Sequence, residues 1–251
     1  MEYPLTRRAV PALRVLPSAT STNSELLALA AEPVPSFTAV LTLDQTAGRG
    51  RLDRTWVAPP GAALALSVLV RDALAHPLVS WLPLLAGLSL AEALDDVAPG
   101  RIAVKWPNDL LLDGRKVCGI LCEVVPGTRD VVVGSGLNLS QTESELPVDT
   151  ATSLALAGVA LRPGSLDALV AAYLAKLRDE LQAPGPVSRV RERVLARCAT
   201  VGMRVRVQLA DGSTLVGLAT GIDPTGRLEV DPGTGRSVAV AVGDVTHVRP
   251  A

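Results

Sequence analysis

The chain has 251 residues, of which 48% are hydrophobic and 20% are charged. That composition supplies enough apolar side chains for a packed core and excludes disorder as the main state of the chain. The formal net charge of −1 gives no overall attraction for nucleic acid or for an anionic membrane surface.

The elements follow one another as short strands separated by loops and helices. Apolar runs of strand length occupy seven segments, at 13–16, 38–43, 62–70, 102–104, 110–112, 116–125 and 131–133. The turn at Asp113-Gly114 joins two of these strands into a hairpin. Thr22 and Glu25 have the spacing of a capping box and predict a helix through Ala30. Two further helical patterns lie later in the chain, at 165–181 and 187–199.

The uncharged segment from residue 73 to 91 is long enough to cross a bilayer. Pro77 and Pro83 interrupt it, and the helical pattern continues through the acidic Glu92 and Asp95. A buried helix through Trp81, with Pro77 near its start, therefore fits this segment better than a membrane span.

The pattern of predicted elements changes at about Gly202. From Val205 onward, short alternating strands are separated by turn signals at 211–212, 224–226 and 232–233, a spacing typical of a small β-barrel. The sequence therefore predicts an α+β protein, with a mixed α/β core over residues 1–200 and a small barrel over residues 201–251.

The cysteine count favours a reducing compartment. Cys118, Cys122 and Cys198 are odd in number and have no histidine partners at zinc-site spacing. Because the first residues also lack the apolar run of a signal peptide, we expect a cytoplasmic protein without a structural metal.

Lysine is scarce in this chain. The 24 basic residues include only three lysines, Lys105, Lys116 and Lys176. A surviving lysine can mark a site where a compact ammonium is needed and a guanidinium does not serve.

Four segments could carry chemistry, although each has an ordinary structural interpretation. The loop at 48–56 places three arginines around two glycines, which suits an anionic ligand but also suits a solvated basic loop. Lys105-Trp106-Pro107-Asn108-Asp109 offers a cation and oxygen ligands for Mg²⁺, or forms a turn. Lys116 begins an apolar strand, where a lysine commonly snorkels. Gly134–Asn138 (GSGLN) lets the backbone approach a ligand, or bends a strand.

The order of these segments along the chain is similar to the order of motifs in a known enzyme family. The stretches SATSTNSELL, QTAGRGRLDRTW, KWPNDLLLDGRKVCGILCE, VVVGSGLN and ATSL make the chain similar to the biotin protein ligases. The resemblance runs from about residue 13 to the C-terminus, and KWPND with the GRGR loop is its most specific part.

The resemblance implies an enzyme with a core of the biotin/lipoate ligase type and an SH3-like C-terminal domain. Such enzymes form biotinyl-5′-AMP from biotin and ATP and then transfer biotin to one lysine of a biotin carboxyl carrier domain. The first step brings two anions together, the biotin carboxylate and the α-phosphate, so cations must neutralise both. The arginine-rich loop and the lysines meet that need.

The match also implies roles for individual residues. Lys116 and Arg51 are expected to be catalytic. The residues expected to bind biotin are Ser21, Thr22, Asn23, Gln45, Arg49, Gly50, Arg51, Lys116, Gly119 and Gly134. Those expected to bind the nucleotide are Arg54, Trp56, Lys105, Asn108, Asp109, Ser135 and Asn138, with Asp109 as the Mg²⁺ ligand.

Some features depart from the family pattern. Leu52-Asp53 stands where small loop residues are usual, and Cys118 and Cys122 replace aliphatic residues of a strand. We interpret both cysteines as small buried hydrophobes. Because three arginines repel one another and two glycines add freedom, we expect the loop at 48–56 to be mobile without ligand and ordered over the adenylate.

Two other functions are compatible with parts of the sequence. Lipoate ligase has a related core, but lipoate lacks the ureido group that the polar run Ser21–Asn23 suits. An RNA-binding module is the other alternative, and 2% aromatic residues leave little for base stacking. About a dozen residues precede the first core strand, too few for the three helices of a DNA-binding repressor domain. We therefore expect a ligase without repressor function that acts as a monomer or weak homodimer.

Overall fold

The computed structural model describes residues 2–52, 54–209, 212–241 and 243–247. The helices are α1 (Pro4–Ala9), α2 (Thr22–Leu29), α3 (Leu82–Leu94), α4 (Ser165–Gln182) and α5 (Val187–Arg197). The strands up to residue 138 are β1 (Ala12–Val15), β2 (Thr38–Thr42), β3 (Gly48–Arg49), β4 (Thr55–Trp56), β5 (Ala63–Val70), β6 (Ile102–Lys105), β7 (Asp109–Leu112), β8 (Arg115–Val124) and β9 (Val131–Asn138). The later strands are β10 (Arg204–Gln208), β11 (Thr214–Ile222), β12 (Leu228–Asp231), β13 (Val238–Val240) and β14 (Asp244–His247).

A seven-stranded mixed sheet forms the centre of the molecule. Its strand order is β1-β2-β5-β9-β8-β7-β6, and only the β1–β2 pair among these strands is parallel. The strands β5, β8 and β9 lie in the middle of the sheet and pair along most of their length. β5 and β9 are buried along nearly their whole length, which explains why the sequence shows apolar runs there instead of alternation.

The two faces of the sheet are covered differently. On one face, α3, α4 and α5 pack over a large core that includes Trp81 and Tyr173. On the other face, α2 covers β2, β5 and β9 through a small cluster around Leu26 and Val132. Because α2 has only eight residues, it covers one end of that face, and the candidate site lies beyond its N-terminus.

Three details differ from the sequence-based expectation. The N-cap of α2 is Ser21, whose hydroxyl accepts a hydrogen bond from the Ser24 amide, so Thr22 is the first helical residue rather than the cap. The long apolar helix begins at Leu82 with Pro83 in its first turn, and Pro77 lies earlier, between two short 3₁₀ turns. The strand expected at 131–133 continues through the GSGLN segment, so that β9 ends at Asn138.

Two elements were missed or misjudged in length. The six-residue helix α1 escaped the sequence analysis, since it is too short to show helical periodicity. It is held by Asp167 of α4, whose carboxylate accepts hydrogen bonds from the Leu5 and Thr6 amides. The helix expected at 187–199 ends at Arg197.

The C-terminal strands form a five-stranded antiparallel sheet in the order β13-β12-β11-β10-β14. The turn signals at 224–226 and 232–233 join strands as expected, whereas the signal at 211–212 includes Asp211, which lies outside the described residues. Two indoles attach this sheet to the rest of the molecule. Trp81 Nε1 donates to the Pro224 carbonyl and Trp106 Nε1 to the Gly226 carbonyl, each at 3.0 Å.

No helix among the described residues is long and apolar enough to cross a membrane. The segment at 73–91 instead supplies Trp81 and most of α3 to the core, as expected.

Candidate active site

A cavity of about 580 Å³ opens on the α2 side of the large sheet. Its floor consists of the smallest side chains of three adjacent strands. Gly136 of β9 pairs with Gly119 of β8 on one side and with Ala65 of β5 on the other, and all three residues line the cavity. Since side chains alternate between the faces of a strand, these glycines remove bulk only from the cavity face.

The Trp56 indole lies directly over this floor. A Cβ atom at Gly136 would come within 2.7 Å of the indole, and one at Gly119 within 3.4 Å. Trp56 reaches this position because Gly48–Arg49 and Thr55–Trp56 pair as a short antiparallel hairpin. The arginine-rich loop therefore connects two strands that already stand at the cavity mouth.

A network of neutral polar groups closes one end of the cavity. The Thr22 amide donates to Gln45 Oε1 at 2.9 Å, and Ser67 Oγ, on β5, lies 2.7 Å from Thr22 Oγ1. Ser67 Oγ also lies 2.5 Å from Asn23 Oδ1. Thr22, Asn23 and Ser67 are all buried, so these groups are held in fixed orientations rather than exchanging with water.

Glu123 extends this network to the arginine-rich loop. Asn23 Nδ2 donates to Glu123 Oε2 at 2.7 Å, and Arg49 Nη2 lies 3.0 Å from the same oxygen. A Cβ atom at Gly134 would lie 2.1 Å from Asn23 Oδ1, so only glycine allows Asn23 to stand where it does. Asn23 is thereby fixed by β5, β8 and β9 together.

Charged groups line the other part of the cavity. Lys116 Nζ lies 2.6 Å from Asp109 Oδ1. Arg51 Nη1 donates to Asn108 Oδ1 at 2.9 Å, while its Nη2 donates to the Gly243 carbonyl of the C-terminal sheet at 3.2 Å. One end of the cavity therefore presents mainly neutral polar groups, which reach the Arg49–Glu123 ion pair through Asn23, and the other end presents the Lys116–Asp109 pair. This arrangement suits a ligand that is uncharged at one end and anionic at the other.

Comparison with known proteins gives the family. Residues 15–139 match the biotin/lipoate A/B protein ligase family, and residues 200–248 match the biotin protein ligase C-terminal domain. The chain is 41% identical over 244 residues to the biotin–[acetyl-CoA-carboxylase] ligase of Mycobacterium tuberculosis (strain ATCC 25618 / H37Rv), which covers 94% of this chain and 89% of that protein. The chain belongs to the biotin protein ligase family.

Other family members agree with this assignment. The biotin–[acetyl-CoA-carboxylase] ligase of Paracoccus denitrificans is 35% identical over 233 residues, covering 88% of this chain and 95% of the relative. The structure of the biotin protein ligase from Aquifex aeolicus in complex with biotin and ATP has a TM-score of 0.77, covering 96% of this chain and all of that chain. At 24% identity that structure shows that the fold is shared.

The structure brings nearly all of the expected site residues to one cavity. Those that line it are Ser21, Thr22, Asn23, Gln45, Arg49, Gly50, Arg51, Arg54, Trp56, Asn108, Asp109, Lys116, Gly119, Gly134, Ser135 and Asn138. They come from the N-terminal end of α2, the segment at 45–56, the turn before β7, and strands β7, β8 and β9, which are distant in sequence.

Two expected residues differ from the sequence-based picture of this ligase site. Lys105, at the end of β6, is not among the residues that line the cavity. Ser135 borders the cavity, but its hydroxyl lies 2.9 Å from Tyr173 Oη of α4, on the opposite face of the sheet. The side chain of Ser135 therefore helps to fix β9 on α4 and does not face the ligand.

Three polar residues of the site were missed by sequence reasoning. Ser67 and Glu123 lie within apolar runs, where the sequence marks them as ordinary strand residues. These two residues contact cavity-lining side chains without lining the cavity themselves, whereas Gln141, which follows β9, lines it directly. A polar residue at an inward position of an otherwise apolar strand was the available signal for Ser67 and Glu123.

Cys118 is buried, as expected from the sequence, whereas Cys122 is half-buried. Burial raises the pKa of Cys118 to about 12, with Lys116 acting in the opposite direction, and burial raises the pKa of Cys122 to about 12 as well. Neither thiol ionises at neutral pH, so neither is a nucleophile.

The donor set of the charged end fits Mg²⁺. Asp109 supplies one carboxylate, and Mg²⁺ in nucleotide sites is commonly held by one or two carboxylates together with phosphate oxygens. The described residues contain no cluster of three histidine, cysteine or acidic side chains, so the protein alone offers no complete cage. A metal at Asp109 would therefore depend on the phosphates for its remaining ligands.

Proposed function

We propose that this chain is a biotin–[acetyl-CoA-carboxylase] ligase that activates biotin with ATP. In the first step a biotin carboxylate oxygen attacks the α-phosphorus, the bond from that phosphorus to the bridging oxygen of the β-phosphate breaks, and pyrophosphate leaves. In the second step the ε-amine of a carrier lysine attacks the acyl carbon, loses a proton, and AMP leaves. The observation that carries this proposal is the cavity of about 580 Å³, with hydrogen-bonded neutral groups around Thr22 at one end and the Lys116–Asp109 pair at the other.

The neutral network is assigned to the ureido end of biotin. The ureido group has two N–H donors and one carbonyl acceptor, and the residues assigned to this end are Ser21, Thr22, Asn23, Gln45 and Gly134. Because these groups are uncharged and already oriented by hydrogen bonds, they match a neutral ring better than an anion. Lipoate ends in an apolar dithiolane, which would leave the same buried groups without partners.

The charged groups are assigned to the reacting centre. Lys116 is placed at the biotin carboxylate and its forming anhydride, and Arg51 at the α-phosphate. Arg49 and Gly50 would close over both ligands. The nucleotide would lie against Arg54, Trp56, Asn108, Asn138 and the Ser135 backbone, whereas Lys105 is left out of the proposal.

Asp109 would hold the Mg²⁺, which would neutralise phosphate charge as it develops. The protein's own contribution is to bring the two anions together and to exclude water from the mixed anhydride. Arg51 contacts Asn108 and Gly243 already, so the arginine stands between the large sheet and the C-terminal sheet.

The proposal also covers the domain boundary, the oligomeric state and the cellular compartment. We place the boundary between catalytic and C-terminal domains between residues 200 and 201, and we expect a monomer or weak homodimer in the cytoplasm. The three cysteines are free, in keeping with a reducing compartment. Sedimentation at micromolar concentration measures the oligomeric state.

The decisive test uses the purified chain with a biotin carboxyl carrier fragment. Pyrophosphate release should require biotin and ATP, and the mass of the carrier should rise by one biotinyl group. Replacing biotin by lipoate should give no pyrophosphate. Pyrophosphate release with lipoate but not with biotin would show that lipoate, and not biotin, is the substrate. No release with either compound would contradict the proposed function.

A further inference from the structure

One residue that lines the cavity has a buried polar atom without a partner. Among the described residues, the buried side-chain polar atoms without a hydrogen-bond partner are Tyr3 Oη, Ser89 Oγ, Arg115 Nε and Gln141 Oε1. Of these four residues, Gln141 is the one that lines the cavity, and its exposed fraction is 1%. Leaving a buried carbonyl oxygen without a donor is unfavourable, so this atom calls for an explanation.

The hydrogen bonds around Gln141 fix which end of its amide is free. Asn138 Nδ2 donates to the Thr152 carbonyl at 2.8 Å, and a carbonyl can only accept. The other atom of that amide, Asn138 Oδ1, is an acceptor and receives a hydrogen bond from Gln141 Nε2 at 3.1 Å. The free atom of Gln141 is therefore its oxygen, because turning either amide over would face two acceptors or two donors.

The backbone around Gln141 is also fixed. Ser153 Oγ donates to the Gln141 carbonyl at 2.8 Å. The segment at 147–152 is in turn bound to the catalytic strand, since the Lys116 amide donates to the Thr150 carbonyl and the Thr152 amide donates to the Lys116 carbonyl. These hydrogen bonds fix the backbone of Gln141 relative to Lys116.

The position of Gln141 places it away from the neutral network. Asn138 follows Gly134 by four residues in β9, which corresponds to about 13 Å along the strand. Gly134 contacts Asn23 at the end assigned to the ureido ring, so Asn138 and Gln141 stand at the other end. Pro147, Val148 and Ala151 line the cavity on the segment that Thr152 joins to Asn138, and their apolar side chains suit a flat heteroaromatic ring.

We propose that Gln141 Oε1 accepts a hydrogen bond from the 6-amino group of the nucleotide base and selects adenine over 6-oxopurines. This inference rests on the proposed function, because it assigns the base of ATP to this end of the cavity. An adenine amino group is a donor and satisfies the free oxygen. Guanine presents an acceptor at the same position, which would face the Gln141 oxygen without a proton between them.

The test is a double-mutant cycle between the protein and the nucleotide. Pyrophosphate release is measured with ATP and with purine riboside 5′-triphosphate, which has hydrogen in place of the 6-amino group. Wild type should prefer ATP by about tenfold in kcat/KM, the size expected for one buried hydrogen bond. In Gln141→Met, a side chain of similar length without the acceptor, the preference should fall to about one.

Gln182→Met is the matched control, since Gln182 is exposed in the last turn of α4. It should keep the tenfold preference. A Gln141→Met enzyme that loses activity equally with both nucleotides would overturn the proposal and leave Gln141 a structural role only. The midpoint of thermal unfolding and the biotin affinity of each variant report whether the fold is intact.

Calorimetry separates failure of this inference from failure of the proposed function. If wild type releases no pyrophosphate with either nucleotide, the ligase proposal fails, and the affinities of ATP and of purine riboside 5′-triphosphate still measure the contribution of the amino group. Equal affinities in wild type would overturn the role of Gln141. Tighter binding of GTP than of ATP would do the same.

Discussion

Lys116 and Asp109 are paired with each other across neighbouring strands, with Lys116 Nζ 2.6 Å from Asp109 Oδ1. The pair stands beside a register shift between Leu110 and Leu111, where β7 and β8 change their alignment. The lysine that we assign to the biotin carboxylate and the aspartate that we assign to the metal therefore neutralise one another before any ligand binds. Binding of a cation to Asp109 would release Lys116 for the carboxylate.

We expect Lys116→Arg to lower the rate of adenylate formation at least a hundredfold while the fold is kept. The Lys116 ammonium lies close to the backbone of Gly119, since a Cβ atom at Gly119 would come within 3.3 Å of Nζ. A planar guanidinium needs more room and cannot take that position. Lys176→Arg on α4, whose lysine is half-exposed beside Glu92, should behave as wild type in pyrophosphate release. A Lys116→Arg enzyme at near wild-type rate would remove Lys116 from the reaction.

We expect Asp109→Asn to raise the Mg²⁺ concentration needed for half-maximal activity at least tenfold and to change the biotin affinity less than threefold. Biotin is neutral at its ureido end, whereas the metal serves the phosphates. Asp113→Asn is the control, because Asp113 is exposed and paired with Arg101. Mg²⁺ titration of activity and calorimetry with biotin measure the two effects. A large loss of biotin affinity with an unchanged Mg²⁺ requirement is the contrary result.

Arg51 connects the loop at 48–56 to both sheets. We expect Arg51→Gly to form the adenylate but to release it early, so that lysines of unrelated proteins become biotinylated. The side chain ties the loop to Asn108 and Gly243, and glycine removes both contacts. Arg236→Gly, in an exposed turn of the C-terminal sheet, should retain the adenylate. Mass spectrometry of labelled bystander proteins measures the release.

The expectation of a loop that orders over the adenylate stays a prediction. Arg49 is already paired with Glu123 and Trp56 with the floor, contacts that the sequence did not reveal. Hydrogen exchange of the amides at 48–52 and 54–56 should slow only with biotinyl-5′-AMP present. Equal protection with and without ligand is the outcome against it.

We expect Gly134→Ala to weaken biotin binding at least tenfold. The added Cβ would lie 2.1 Å from Asn23 Oδ1 and would push that side chain out of the neutral network. Gly87→Ala on α3 is the matched control, since its Cβ would meet no atom closer than 3.6 Å and alanine favours a helix. Calorimetry with biotin compares the two variants, and unchanged affinity in Gly134→Ala would remove Asn23 from the biotin site.

Stability should fall at acidic pH through Asp167. Burial opposes ionisation of this carboxyl, but hydrogen bonds from the Thr6 hydroxyl and the Leu5 and Thr6 amides outweigh it and hold the pKa below its usual value. A carboxyl whose pKa is depressed in the folded state stabilises the protein above its unfolded pKa, near 3.9, and loses that contribution as the pH falls through the folded pKa.

We therefore expect Asp167→Asn to lower the free energy of unfolding by about 1–3 kcal/mol at pH 7. The difference from wild type should shrink as the pH is lowered from about 4 toward 2. Asp179→Asn, at an exposed position on the same helix, should show neither effect. Urea unfolding at pH 7 and at acidic pH measures the change, and a constant difference across that range would contradict the assignment.

Much of the fold was determined by the sequence alone. The strands at 38–42 and 63–70 and the hairpin around Asp113-Gly114 were located within one or two residues, because burial on both faces produces long apolar runs and the turn has its own residue preference. Helix α1 was not found, since its six residues are stabilised by a distant carboxylate rather than by their own pattern. The N-cap of α2 could not be chosen from the sequence, because serine and threonine both serve as caps. The backbone conformation makes Ser21 the cap.

For the site, motif order in the sequence identified the family, and tertiary structure decided how the residues meet. Lys105 and Asp109 stand four residues apart in one motif, yet the turn between β6 and β7 leaves only Asp109 at the cavity. Ser135 lies between two glycines that line the floor, but the alternation of a strand points its hydroxyl at Tyr173. Ser67 and Glu123 had no motif to mark them, because their roles depend on hydrogen bonds to Asn23, which is 44 and 100 positions away from them. Gln141 had none either, because its role depends on the oxygen that its hydrogen bond to Asn138 leaves without a partner. Sequence records which groups are present, whereas direction and pairing follow from strand register, which distant segments set together.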